Sequence, residues 1–514
     1  MICFLGHEPH WTHLLDQEGV SYVTDAAGQI DQAKVLILDR LPESSELPSV
    51  RRYVDHGGSV LAWAGNALGV WPDLRFRKEQ LNYLLPDGSA LFRNVGLVDV
   101  ATTGFVPAVA NTGTTPGGRP AVFCGMLGAS PVVLLPFDLT GVLATRKSGP
   151  LLFPTSTCRQ PFETVSVINR GEVRRLVANC LKYLLHKQGL PYVRLSYVPE
   201  GASCFGMRID TDESSAEAFR EAAGIARAQS MRFTWFVHVE AADKELPPLV
   251  ADTLVGQDIQ LHCYQHRMYP DYRRNRDDLE KGIARLRNAG VSPTGVAAPF
   301  GLWNEKWNQA VSDLGLGYSS EFAVGYDDLP FRPLVSGEPS RVLQVPVHPI
   351  CFGRLAAARM KPEEMFGYFM TVIRRQVARL EPCFLYGHPE AVTRFQDEFR
   401  QVVEFGQNRC GSTLAMTDYA RWWCAREETG YSVSVEPGSM LVSNVTAQEF
   451  GLVVESDEAW ASTPLVDGQV KYEELEWQPL ESIKYEIEEL KRSRRSGLRL
   501  RFGEIARAWR RARA

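Results

Sequence analysis

Four short stretches of this chain carry the residue types that bind metal ions and move protons, and each closes a run that reads as a β-strand. The first is Arg208-Ile209-Asp210-Thr211-Asp212, where strand alternation puts Arg208, Asp210 and Asp212 on one face. The second, His262-Cys263-Tyr264-Gln265-His266, holds two histidines four apart, which share a face once the chain turns helical. Neutral imidazole is the commonest protein ligand for zinc-like ions, and the whole chain has only ten histidines. Two histidines with Asp212 make a three-ligand set that leaves positions for water and substrate, as catalytic sites do and structural ones do not. The third stretch is Ala297-Ala298-Pro299-Phe300-Gly301. The fourth is Leu385-Tyr386-Gly387-His388-Pro389, whose histidine, with an unperturbed pKa of about 6.5, suits proton transfer at neutral pH. His348, ending VPVHPI, is a weaker candidate for substrate contact. Each stretch alone has a plainer explanation. Asp-x-Asp also caps a helix such as SSAEAFREAAG, HxxxH arises by chance, and a strand-end histidine is often a hydrogen-bonded core residue.

The elements around these stretches read as α/β. At 514 residues the chain is too long for one core, and about 150 residues per domain suggests three. Residues 1–195 alternate strands (ICFLG, AKVLILDR, PAVFCGML, SPVVLLPFDL) with helices, the last being EVRRLVANCLKYLLHKQG, closed by Gly189. Such alternation points to a parallel sheet wrapped by helices. Residues 200–427 continue it in a barrel-like rhythm. RNRDDLEKGIARLRNAG turns Leu279, Ile283 and Leu286 inward, and PEEMFGYFMTVIRRQVARL does the same with Met365, Phe369, Val372 and Ile373. Residues 430–480 lose helical periodicity and read as a small β module. Residues 481–514 form a basic tail.

The four stretches, in this order and each at a strand end, resemble the polysaccharide deacetylase domain (NodB-homology, carbohydrate esterase family 4-like) between about residues 200 and 425. The resemblance implies a distorted (β/α) barrel and a site at its C-terminal face. It implies Asp210 as general base, Asp212, His262 and His266 as ligands of one divalent ion, and His388 as general acid. Pro299 and Phe300 would line the substrate groove, the Phe300 backbone N–H would hold an oxyanion, and Tyr264, Phe300, Trp303 and Phe331 would stack on a sugar ring. Zinc is the expected ion, and the ligand set equally admits cobalt, nickel or manganese. The chain departs from the family in four ways: Thr211 separates the two acids, Cys263 stands where Ser or Thr is usual, Ala297 replaces an arginine that orients the base, and no Asp-x-x-Asp-Trp motif is present. Around that last position the chain reads Tyr318-Ser319-Ser320-Glu321-Phe322. Arg208 is the candidate to replace the missing guanidinium and to line the substrate site.

The activity so implied is hydrolysis of an N-acetyl amide, as in deacetylating an N-acetylated sugar or glycan intermediate of surface polysaccharide synthesis. The alternatives are an amidohydrolase acting on a small non-sugar amide and a catalytically silent carbohydrate-binding scaffold. The helix–HGG–strand passage SVRRYVDHGGSVLAWAG is similar to class I glutamine amidotransferase-like domains, which are flavodoxin-like. A catalytic member carries a cysteine after that strand; here the turn is Ala64-Gly65-Asn66-Ala67, so residues 1–195 are expected to be a non-catalytic module.

The ten cysteines are scattered, with no CxxC pair, and most sit in apolar runs, as free thiols of a reducing compartment do. The N-terminus lacks a basic n-region, and no run of about 18 apolar residues occurs, so a cytoplasmic protein is expected. Lys491–Ala514 holds ten Lys/Arg against the single acid Glu504, with Leu498, Phe502, Ile505 and Trp509 able to share a helical face. That pattern suits peripheral binding to an anionic membrane at its inner face, and no specific nucleic acid is expected.

Overall fold

The computed structural model describes residues 1–243 and 245–494, which fall into two compact units. The first gathers three pieces of chain, Met1–Thr145, Ile168–Pro199 and Ala425–Leu490. The second gathers Arg146–Val167 with Glu200–Cys424 and the described residues 491–494. Residues 146–167 and 430–480 therefore group differently from a simple reading in sequence order. The expected apolar face Leu498, Phe502, Ile505 and Trp509 lies outside the described residues.

In the first unit a seven-stranded sheet runs in the order Tyr22–Val23, Ile2–Phe4, Val35–Leu38, Ser59–Trp63, Ser130–Leu135, Pro120–Leu127, Thr112–Thr114. The first five strands are parallel. The runs PAVFCGML and SPVVLLPFDL pair antiparallel instead, because only two residues separate them and Gly128, at φ +64°, lets the chain reverse. The Ala64-Gly65-Asn66-Ala67 turn is a short helix after Ser59–Trp63, and its Asn66 amide donates to Leu38 O at 3.1 Å. The β segment expected at 430–480 forms two antiparallel groups. One adds to Tyr192–Leu195 through Gly451–Glu455, and the other joins Ser432–Glu436, Ser439–Ser443 and Gly468–Lys471.

In the second unit the strands Leu343–Gln344, Tyr318–Ser319, Gly295–Val296, Asp258–Leu261, Thr234–Val237, Ser203–Asp210 and Cys383–Gly387 lie side by side, all parallel. Gly411–Thr413 pairs with the start of Ser203–Asp210. Among the described residues no ladder closes the sheet into the expected barrel. It is a curled half-barrel whose two edges meet through the His348 N–H bonded to Phe384 O at 2.9 Å. The edge strand Leu343–Gln344 is only two residues long and offers little length for a further ladder. Helices cover the sheet as their periodicity requires. Leu279, Ile283 and Leu286 of Tyr272–Asn288 are buried, as are Met365, Phe369, Val372 and Ile373 of Pro362–Ala378. Ser215, not an aspartate, caps Ala216–Ala228, its hydroxyl accepting the Ala218 N–H at 3.2 Å. Among the described residues no helix is long and apolar enough to cross a membrane.

Charge is buried in the first unit at Glu455, which accepts from Lys182 Nζ at 2.8 Å and Arg194 Nε at 3.0 Å. Burial raises the Glu455 pKa, but the two cations outweigh it and hold the carboxyl at about 2, against an ordinary 4.5. The stabilisation is therefore complete above pH 4.5 and lost as pH falls toward 2. Glu455→Gln takes the carboxylate away from buried Arg194 and partly exposed Lys182 and should cost about 3 kcal/mol at pH 7. Urea unfolding from pH 7 to pH 2.5 should show the wild type losing part of its advantage over Glu455→Gln below pH 4.5. Parallel profiles would show that this carboxylate is not the group being protonated.

Candidate metal centre and active site

Ser203–Asp210 is buried along its length, and its alternation sets Arg208 and Asp210 on one face. The Arg208 guanidinium grips the Asp210 carboxylate with both arms, Nε to Oδ1 at 2.6 Å and Nη2 to Oδ2 at 2.7 Å. Its remaining nitrogen donates to the Ser320 carbonyl and hydroxyl. The Phe236 and Tyr386 rings stand 5.0 and 5.7 Å from it. Burial works to raise the Asp210 pKa, but the charges of Arg208, His262 and His388 hold it below the ordinary carboxylate range. Arg208 is fully buried, which corrects the expectation that it lines the substrate site: its guanidinium is taken up by Asp210 and Ser320.

Past the strand, Asp212 turns into the left-handed region at φ +43°. Its carboxylate oxygen Oδ1 lies 3.3 Å from His262 Nε2 and 3.1 Å from His266 Nε2. One ligand atom from each of the three residues falls within a 4.8 Å cluster. Nitrogen and oxygen ligands at 2.0–2.2 Å around a tetrahedral ion stand about 3.4 Å apart, so this donor set fits a zinc-like cation. The His262 ring is fixed for the purpose, since its Nδ1–H donates to Ala297 O at 2.8 Å and leaves Nε2 bare toward Asp212.

The HxxxH pair comes together by another route than a helical turn. Residues 262–271 are irregular, and Cys263 sits at φ +65°. The Asp278 carboxylate, from the helix Tyr272–Asn288, accepts the Tyr264 and Gln265 N–H groups at 3.0 and 2.9 Å and so shapes the bend that returns His266 toward His262. Burial pushes Asp278 up to about 6 despite those bonds.

His388 follows Cys383–Gly387 and faces Asp212 from the other side, Nε2 to Oδ2 at 3.5 Å. Burial lowers its pKa, but the Asp212 charge and the Cys351 contact, Nδ1 to Sγ at 3.8 Å, raise it to about 10. Phe300 follows Pro299 at φ +60°, with its ring 5.0 Å from that of His266. Glu321, from the stretch without a recognisable motif, accepts the Ala298 N–H at 2.9 Å and holds that turn from below. The Trp303 ring lies under Arg146 at 5.2 Å.

Two aromatic expectations are corrected. Tyr264 is buried with Lys281 Nζ 3.6 Å from its ring centre, and Phe331 is only 3% exposed, so neither offers a face to a sugar. His348 is likewise enclosed, between Asp327 at 2.9 Å and Tyr368 Oη at 2.9 Å. Sequence reasoning passed over His238, Asp278, Glu321 and Cys351. Only His238 carried a legible signal, a histidine closing the strand run RFTWFVHVE. It is 4% exposed, and burial together with His262 and His266 lowers its pKa to about 4.

Arg208→Ala strands a buried carboxylate and should lower stability by about 3–5 kcal/mol. Arg208→Lys keeps the charge but loses the two-armed grip and should fall between. Denaturant melts of the three proteins would show it, and equal midpoints would mean that Asp210 is solvated in solution.

No family model matches the sequence, and no curated protein matches it. Solved structures do match. A protein from Mycobacterium smegmatis described as a polysaccharide deacetylase is 18% identical with a TM-score of 0.38, covering 44% of this chain and 92% of its own. One from Pseudomonas aeruginosa PAO1, described in the same terms, is 15% identical with a TM-score of 0.37, covering 44% and 91%. A CE4 family pseudoenzyme from Bacillus anthracis is 14% identical with a TM-score of 0.30, covering 54% and 90%. This chain is thus similar, over part of its length, to structures described as polysaccharide deacetylases and to a pseudoenzyme of the CE4 family.

Proposed function

We propose that the second unit is a divalent-metal-dependent hydrolase that removes the acetyl group from an N-acetylated sugar or glycan intermediate of surface polysaccharide synthesis. The observation that carries this reading is the meeting of Asp212, His262 and His266 in one ligand cluster, with His388 facing the same Asp212 carboxylate. Asp210, two residues before Asp212, is kept ionised by Arg208.

Asp212, His262 and His266 would hold the ion, zinc first and cobalt, nickel or manganese by the same donors. When bound, it would polarise the acetyl carbonyl and make water a stronger acid. Asp210 is the proposed base, taking a proton from the attacking water while Arg208 fixes its orientation. The Phe300 N–H is the proposed donor to the developing oxyanion. His388, on the far side of Asp212, hands a proton to the departing nitrogen, releasing acetate and a free amine. Phe300 and Trp303 are the aromatic residues left to meet a sugar ring. The order of the five parallel strands in the first unit supports a flavodoxin-like reading of it, and the absence of a thiol at Ala64–Ala67 supports a non-catalytic one. Peripheral attachment to an anionic membrane through the basic tail, from the cytoplasmic side, belongs to the same proposal.

Metal analysis of the wild type should find about one ion per chain, lost in His262→Ala/His266→Ala. Acetate release from N-acetylhexosamine oligosaccharides and nucleotide-linked N-acetyl sugars should fall about 10²–10⁴-fold in Asp210→Asn with metal content unchanged. A wild type that stays metal-free after reconstitution would favour the silent scaffold. A metal-loaded protein that opens small amides but releases no acetate would favour the non-sugar amidohydrolase.

A further inference from the structure

We infer that His238 is a positioning residue of the metal centre: its side chain latches the Asp212 backbone in the left-handed turn that aims the Asp212 carboxylate at His262 and His266. The inference rests on the reading of Asp212, His262 and His266 as a metal site and goes beyond it by naming what holds the ligand geometry.

Thr211 and Asp212 leave Ser203–Asp210 and are tied to the end of the neighbouring strand, Thr234–Val237, by three hydrogen bonds. The Thr211 N–H donates to Phe236 O at 3.0 Å. The His238 N–H donates to the Thr211 hydroxyl at 2.9 Å. The His238 side chain bonds the Asp212 carbonyl through Nδ1 at 3.1 Å, and since a carbonyl only accepts, Nδ1 carries the proton. The third bond spans the residue at φ +43°, a conformation that side chains other than glycine adopt only when their surroundings impose it.

The other ring nitrogen makes the case stronger. His238 Nε2 is enclosed and has no hydrogen-bond partner among the described residues. An unpaired buried acceptor destabilises a fold, and an aliphatic residue at this strand end would avoid it. A histidine here is therefore explained by what Nδ1 does. Enclosure also means that Nε2 is not a substrate contact. Thr211 acquires a role by the same geometry: the residue that separates the two acids supplies the hydroxyl that anchors the latch.

The test is zinc affinity of the full chain, measured by competition with a chromophoric chelator, for wild type, His238→Ala, His238→Asn and His238→Gln. The amide nitrogen of asparagine falls near the Nδ1 position, and that of glutamine reaches toward Nε2. Alanine and glutamine should weaken zinc binding about 10–100-fold, and asparagine should restore it to within about threefold of wild type. Urea midpoints separate this from general destabilisation, which would track side-chain size and not the position of the donor. If alanine fails to fold, the asparagine–glutamine contrast still decides. Equal affinity in all four proteins, or asparagine no better than glutamine, overturns the role of His238 while leaving the metal site intact. A wild type that binds no zinc overturns the metal reading itself, and His238 with it.

Discussion

The constraint on which this site depends is that two carboxylates, two residues apart at the end of a buried strand, must both stay ionised. Asp210 is 4% exposed, and desolvation works to raise the pKa of both carboxyls against the neighbouring charges that lower it. The chain answers with a different cationic or polar partner for each. Arg208 closes on Asp210 along the strand face with two hydrogen bonds. Asp212 is faced by three imidazoles, two on one oxygen and one on the other. The division follows from Thr211. With one residue between them the acids keep the same strand face, yet the second has already left the strand and can turn away from Arg208.

That turning uses backbone conformations the chain would not choose freely. Asp212, Cys263 and Phe300 all have positive φ, and all three follow the ends of strands bordering the site. Each costs on the order of 1 kcal/mol, and each is secured by a group from elsewhere. Asp212 is held by His238, the residues after Cys263 by Asp278, and the turn before Phe300 by Glu321. None of the three supports needs to touch a substrate. Their purpose is to keep the strand ends in shapes that send side chains inward.

Much of this was legible because strand ends leave a strong signature. Asp210, Asp212, His262 and His388 each follow an apolar run, and the order of those runs along the chain makes the arrangement readable from the sequence. The approach of His266 was legible as a pair with His262 but not in its means, because the bend is set by Asp278, and nothing in a polar helix start such as RNRDD marks one aspartate as facing inward. Tyr264 was misjudged for a related reason: an aromatic residue between two histidines looks available until the helix behind it brings Lys281 over the ring. The openness of the sheet could not be read either, since two-residue strands have no periodicity. The grouping of 430–480 with the first residues of the chain rests on a pairing of Tyr192–Leu195 with Gly451–Glu455 that sequence spacing conceals.

That pairing has a consequence for the order of events during synthesis. Arg194 meets its carboxylate partner, Glu455, which lies 261 positions further along the chain. At about 5–20 residues per second, a ribosome leaves Arg194 and Lys182 waiting for it for tens of seconds. The strands from Ser203 to Gly387 emerge within that interval, and all but the pairing of Ser203–Asp210 with Cys383–Gly387 join strands of the sheet that follow one another along the chain. The half-barrel can therefore assemble while Tyr192–Leu195 of the first unit is still without its strand partner and Arg194 without Glu455. Tyr192–Leu195 gains its strand partner only when Gly451–Glu455 emerges, so the interval before then is when a nascent chain would most need a chaperone to shield that strand.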